Sequence, residues 1–383
     1  MKILHSGSLK VKSGGPALSM WLTVKGLKQY GVDVISLTEP LSSDDKLISP
    51  DSLPVFTDNP KFGSLAYIPH LTSVLSEISD IDLYHIQGIW MLHGTQIARY
   101  ARKYKIPYVV ALRGMLYPQA LAHNSCVKKL SLALYQAKTL RQAAAIQATC
   151  IEEMKHYRAL GFKNPVAVIP NPIEVDKYVN RPLQIKTKFR IGYLGRVHPR
   201  KRIELLIYAL ANLRTKLPTD TELIIIGGGD ENYEKFLHSE ADRLDLNTQV
   251  KFAGFLSGKE KDDAIDSISV LAVPSDFENF GNIVTEALVH GVPVIASKGM
   301  PWQELPENGC GWWIDNSQDT IDKTILEAYN LGAEKLYEMG IRGRELMLRN
   351  YSVEALGLKM KTLYEWILNG GNKPNFVFTV DGK

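Results

Sequence analysis

The stretch PSDFENFGNIVTEALVHGVPVIAS, residues 274–297, decides how this chain folds. Residues 271–274 end an apolar strand, residues 278–281 make a loop, a helix starts near Asn282 and stops by Gly291, and residues 292–297 are again apolar and β-branched. Strand, loop, helix, strand in that order is a βα unit of a parallel sheet. Because the helix begins just after a glycine, the amides of Gly281, Asn282 and Ile283 sit where the helix dipole favours an anion. Glu278 and Glu286 stand eight residues apart around that start, on the loop and on the second helical turn. Each carboxylate can accept hydrogen bonds from vicinal hydroxyls; the alternative is that both decorate a surface loop and helix.

The pattern repeats outward in both directions. KILHS, PALSMWLTVKGLKQYG and VDVISLT open the chain, and DLYHIQG, TQIARYARKYK, PYVVALR, AAAIQATC and VAVIPNP follow. After a Pro-rich break at residues 165–182 a second series runs through FRIGYLGR, IELLIYALANLRTKL, ELIIIGGGD, QVKFAGFL, SVLAVPS, VPVIAS and GWWID. Two such series predict an α/β protein of two Rossmann-like domains with a cleft between them. The expected organisation is an N-terminal domain over 1–170, a linker over 171–187, a second domain over 188–352 and a closing helix and tail over 353–383. Leu356, Met360, Leu363, Tyr364 and Ile367 form one stripe of that last helix, which needs a partner surface, with the first domain expected to supply it.

A chain of 383 residues exceeds what one core usually serves. Neither a signal peptide nor a spanning apolar run is expected, and three cysteines without metal-type spacing fit a reducing cytoplasm. The net charge of +4 hides an asymmetry: residues 1–181 carry +8 and the remainder −4. No carboxylate occurs between Asp82 and Glu152, while Arg99, Arg102, Lys103, Lys105, Arg113, Lys128, Lys129, Lys138 and Arg141 fall inside. Such a block attracts phosphate or an anionic membrane surface, or else is a solvated helix face. Nothing in it suggests nucleic acid.

Three further motifs bear on chemistry. GGGD at residues 227–230 fails the G-x-G-x-x-G spacing at Asn232 and reads as a strand-to-helix turn. Asp80-Ile81-Asp82 reads as a turn ahead of a strand rather than a metal-binding pair, and no metal is expected. Gly14 and Gly15, before Pro16 as a first helical residue, allow backbone amides to approach a phosphate. YLGRVHPRKR places Arg196, Arg200, Lys201 and Arg202 within seven residues at a strand-to-helix turn, a cluster suited to a diphosphate.

The chain resembles the retaining, GT-B-fold glycosyltransferases of family 4, or group 1, of the type that builds bacterial surface polysaccharides. The resemblance rests on the Glu-x7-Glu stretch above, on YLGRVHPRK, on GMPWQEL and GCGWWID, and on ALRGMLYP and DLYHIQGIW, in family order over roughly residues 1–375. It implies that Glu286 grips the donor ribose and Glu278 the transferred sugar. Arg196 and Lys201 would neutralise the leaving diphosphate, with the amides of Phe280, Gly281, Asn282 and Ile283 on phosphate or sugar oxygens. The base would rest near Gly254 and Phe255, and Gly14 and Gly15 would present amides from the first domain. The family is thought to work without a protein nucleophile, unlike the two-carboxylate glycosidases.

Two departures stand out. Relatives often carry His-x-His-Gly where this chain reads His85-Ile86-Gln87-Gly88, and His-Gly where it reads Arg113-Gly114. Arg113 is no base near neutral pH and becomes a candidate for phosphate or acceptor, while His85 is a candidate near the transferred sugar or a structural histidine. Arg202 stands where relatives often have glycine. The expected activity is transfer of a sugar from a nucleoside diphosphate, UDP- or GDP-linked, to a hydroxyl of a lipid-linked or growing glycan. No cofactor is expected, and the location is the cytoplasm or the inner face of the membrane. The alternatives are a nucleotide-sugar epimerase of the same fold and a non-catalytic binding subunit.

Overall fold

The structure, a computed structural model, describes residues 1–40, 46, 54–122 and 124–380. The chain divides into two compact units, Met1–Glu174 with Ser352–Lys383, and Val175–Tyr351. In the first, β1 (Lys2–Ser6), β2 (Asp33–Thr38), β3 (Val55–Phe56), β4 (Leu83–Gln87), β5 (Tyr108–Ala111), β6 (Ala145–Ala148) and β7 (Val166–Val168) form a parallel sheet. In the second, β8 (Arg190–Leu194), β9 (Glu222–Ile226), β10 (Val250–Gly254), β11 (Val270–Val273), β12 (Val294–Ser297) and β13 (Gly311–Ile314) do the same. A short last strand, β14 (Val377–Phe378), joins the first sheet antiparallel to β7. Helices cover both faces of such sheets, so the strands bury both their faces; Val109, Val110, Val270 and Leu271 are fully enclosed.

Strand order locates the ligand crevices. The first sheet runs β14-β7-β6-β5-β4-β1-β2-β3 and the second β10-β9-β8-β11-β12-β13. In each unit the chain winds one way from the first strand, returns, and winds the other way. The reversals fall between β1 and β4 and between β8 and β11. Connections leaving those adjacent strands go to opposite faces of the sheet, which opens a crevice at the strands' carboxyl ends.

The closing helix Val353–Asn369 belongs to the first unit. Leu356, Met360, Leu363 and Tyr364 are buried in one cluster with Val24 and Leu27 of the helix Gly15–Gln29, and Ile367 packs on its margin. The two helices cross backbone to backbone at Gly26 and Gly357, where a Cβ on either would collide with main-chain atoms of the other. The first-unit helix begins at Gly15, one residue before the expected Pro16, with Gly14 as its N-cap at φ 64°. The predicted 15-residue helix after β8 is shorter than its periodicity suggested, spanning Glu204–Asn212.

Candidate active site

In the second unit the crevice is built from two loops. After β8, Gly195 turns the chain so that Arg196 is exposed while its carbonyl accepts from the Tyr193 hydroxyl at 2.9 Å. The GGGD turn backs this loop: Val197 bridges Gly229, and a Cβ on Gly227 would collide with the Gly195 carbonyl. Asp230 then caps the helix Glu231–Arg243 by accepting from the Tyr233 amide at 2.9 Å. The motif is thus a support for the Gly195-Arg196 loop.

A single 3-10 turn, Pro199–Lys201, carries Lys201 inward, where the residue is 7 % exposed and its ammonium pairs with the Glu278 carboxylate. Burial first, then the charges of Arg200 and Arg196, push Lys201 down to about 8. The Glu278 carboxylate opposes that shift by favouring the cation. Arg202 takes the left-handed conformation at φ 53°, a region that glycine enters most readily. Its guanidinium bonds to Glu204 at 2.7 Å and reaches Asp276 at 3.5 Å.

The second loop follows β11. The Asp276 amide donates to Arg200 and the Glu278 amide to Gly299, each at 2.9 Å. Phe280 turns its ring inward, packed at 5.1 Å from Trp302 and 6.0 Å from Tyr351, while its carbonyl accepts from Trp302 Nε1 at 2.5 Å. With Phe280 anchored, Gly281 adopts φ 80° and starts the helix Asn282–Val289, whose first turn no side chain caps. A Cβ at Gly281 would collide with Met300. The helix start therefore lies at the β8/β11 reversal beside Arg196 and Lys201.

Glu286, on the second turn, pairs with Lys261 at 2.5 Å. Lys261 comes from the helix Gly258–Asp266, and sequence reasoning did not single it out. Gly254 ends β10 at φ 66° with its carbonyl held by the Gly227 amide at 2.8 Å, and Phe255 beside it is 84 % exposed. That ring offers an open aromatic face at the sheet end.

The first unit holds the other candidates. Gly14 and Gly15 open the helix Gly15–Gln29, again without a side-chain cap. Arg113, in the left-handed region at φ 55°, donates through Nε and Nη2 to Gln87 Oε1 at 2.9 and 2.6 Å. Its Nη1 reaches Ser19 at 3.0 Å and Asn171 at 2.6 Å. Burial lowers Arg113 to about 10, with the charge of Glu153 opposing. Glu153, itself fully buried, accepts from the Gly114 amide and from the amide and hydroxyl of Thr149.

His85 is placed differently from the expectation that it lies near the transferred sugar. It is 0 % exposed inside the first unit, with Nδ1 at 2.6 Å from the Tyr364 hydroxyl, which also meets His5 Nε2 at 2.8 Å. It has no surface with which to touch a sugar. Burial drives both imidazoles down, His5 to about 3, so both are neutral at physiological pH. Asp80, at φ 60°, and Asp82, which accepts from the Lys2 amide at 2.7 Å, lie in the irregular segment ahead of β4. Among the described residues no helix is long and apolar enough to cross a membrane.

Comparison with known proteins assigns the class. Residues 175–346 match the family model described as Glycosyl transferases group 1, and residues 14–172 match the Glycosyl transferase 4-like domain. The chain is 28 % identical over 268 residues to a phosphatidyl-myo-inositol mannosyltransferase of Mycobacterium tuberculosis, spanning 66 % of this chain and 68 % of that one. It is 26 % identical over 225 residues to a D-inositol 3-phosphate glycosyltransferase of Streptomyces bingchenggensis, spanning 52 % of this chain and 49 % of that one. The crystal structure of Anabaena HepE in complex with UDP and glucose superposes with a TM-score of 0.72 at 21 % identity, covering 95 % of this chain and 99 % of that one. Residues 175–346 thus carry a group 1 glycosyltransferase domain and residues 14–172 a glycosyltransferase 4-like domain, and the two units have the GT-B fold.

Proposed function

We propose that this enzyme transfers a sugar, with retention of anomeric configuration and without a metal, from a UDP- or GDP-sugar to a hydroxyl of a lipid-linked or growing glycan in surface-polysaccharide synthesis. The observation that carries the reading is the convergence of Arg196, Lys201 and the uncapped helix start at Gly281 on one sheet end, at the chain reversal where α/β sheets take ligands. The diphosphate gains charge as the glycosidic bond breaks. The Arg196 guanidinium, the Lys201 ammonium held against Glu278 and the helix-end amides stabilise that charge. The compensated Lys201–Glu278 pair suits a carboxylate that positions the sugar better than one that attacks it. Glu286 then holds the ribose, sharing its charge with Lys261, and Phe255 covers the base. Anabaena HepE holding UDP and glucose supports the donor class, and the Mycobacterium relative, named for a phosphatidyl-inositol acceptor, supports a lipid acceptor.

Membrane contact falls to residues 125–141 of the first unit. Val127, Leu130 and Leu134 are exposed at 60, 59 and 71 %, spaced three and four residues apart, beside Lys129 and Lys138. Apolar residues to enter the lipid boundary, flanked by cations for anionic headgroups, make an interfacial surface. Replacing Lys128, Lys129 and Lys138 by Glu should release the protein from anionic vesicles; unchanged binding removes this part of the reading.

The transferase assignment is tested by thermal shift against a panel of nucleotide sugars, followed by nucleotide release with and without acceptor. A ligand at a hundred times its Kd raises stability by about 2.7 kcal/mol. A folded Glu286→Ala variant with undiminished donor affinity counts against the site, and sugar inversion at one carbon without transfer indicates an epimerase.

A further inference from the structure

The first unit contains a cavity of about 190 Å³ that the donor site does not use. It opens at the β1/β4 reversal: Ser6 and Gly7 leave β1, Thr38 and Glu39 leave β2, and Gln87 ends β4. Leu37, Ile68, Leu71, Met91 and Ile97 supply an apolar floor. Ligand pockets for drug-sized molecules run to roughly 300–1,000 Å³, so this one suits a single ring.

Its polar equipment is distinctive. Glu39 is held from both sides, accepting from Ser8 at 2.7 Å and Thr38 at 2.9 Å. Among the described residues, Ser6 Oγ and His93 Nδ1 are buried polar atoms of the lining without a hydrogen-bond partner. Buried groups left that way cost free energy, which a ligand carrying hydroxyls recovers. Among the described residues no lysine or arginine lines the cavity. A phosphate or carboxylate placed there would face Glu39 without a compensating cation, in surroundings that solvate charge poorly. Burial also keeps the His93 imidazole below its ordinary value, against the pull of the Ala66 carbonyl and Glu39, so it adds little positive charge at neutral pH.

We infer that this cavity seats the accepting residue and selects an uncharged sugar ring, excluding phosphorylated polyols and uronic acids; the inference rests on the transferase reading above. A pyranose fits the chemistry, with its C–H face on the apolar floor and its hydroxyls directed to Glu39, Ser6 and His93. Charged parts of a larger acceptor must lie outside.

The test is ligand-observed NMR on the full chain, with methyl glycosides of glucose, galactose and mannose set against the corresponding sugar 6-phosphates. At least one neutral glycoside should show saturation transfer that Glu39→Gln and Ser6→Ala each reduce at least fivefold, and the phosphates should show none. Tighter binding of a phosphate, absence of any glycoside signal, or signals unchanged in both variants overturns the inference. Nucleotide-induced thermal shift in the same samples reports the donor site separately. A retained shift with no glycoside signal defeats only the acceptor cavity, and a lost shift in wild type defeats the transferase reading.

Discussion

Arg113, just beyond β5, and Gln87, at the end of the paired strand β4, hydrogen-bond to each other: Arg113 Nε and Nη2 both donate to Gln87 Oε1, at 2.9 and 2.6 Å. The two side chains thus form one unit, a guanidinium fork on an amide oxygen, which positions a fixed cation and supplies no base.

Arg113→Met should therefore destabilise the first unit by about 1–3 kcal/mol, because Gln87 and Asn171 lose their donor and buried Glu153 loses a nearby cation. Urea unfolding monitored on the full chain reads this. If Arg113 serves only an acceptor, stability will be unchanged while transfer falls.

His5 and His85 give the first unit an acid-sensitive core. Both are neutral when folded, held below the ordinary 6.5, His5 at about 3. The unfolded chain therefore binds more protons below pH 6.5, so stability is full above that value and is lost as pH falls toward 3. Each histidine contributes a slope of about 1.4 kcal/mol per pH unit within its window. Unfolding free energies at pH 7 and pH 5 should differ by about 2 kcal/mol from His5 alone, and His5→Asn should remove that share.

Lys201 sets an alkaline limit. It is cationic below about 8 and neutral above, so affinity for a nucleoside diphosphate should be highest below that pH and fall as pH rises through it. Isothermal titration in buffers of different ionisation enthalpy should show proton uptake on binding above pH 8. Lys201→Arg keeps its charge and should flatten the profile, whereas Lys201→Ala should cost a hundredfold or more in kcat, on the order of losing one transition-state donor.

Gly281→Ala should be disproportionately harmful for one methyl group. The residue sits at φ 80° against Met300, so strain of about 1–3 kcal/mol combines with displacement of the helix start. Both the melting temperature and nucleotide affinity should fall. An unchanged affinity in a folded variant would separate this helix start from the donor site.

Local punctuation made much of this legible in the sequence. Gly281 before the apolar run gave the helix start, and Gly195-Arg196 after the short run Arg190–Leu194 gave the basic turn at a strand's end. What sequence could not supply were contacts made by sheet order and by distant helices. Gln87 and Arg113 meet because β4 pairs with β5, and Glu286 meets Lys261 from a separate helix. His85 looked available at a strand end, but Tyr364, 279 residues away, covers it. Glu39 and His93 come together only through the reversal of chain direction in the first sheet, and no spacing marks either one.

The central claim is that the helix start at Gly281, Arg196 and Lys201 bind a nucleoside diphosphate sugar and release the diphosphate with retention. The direct measurement is proton NMR of the product formed from an α-linked nucleotide sugar and a neutral glycoside acceptor, read at the new anomeric proton. An α-anomeric coupling, lost together with nucleotide release in Arg196→Ala and Lys201→Ala, is the predicted result. A β-linked product, or transfer that persists in both variants, contradicts it.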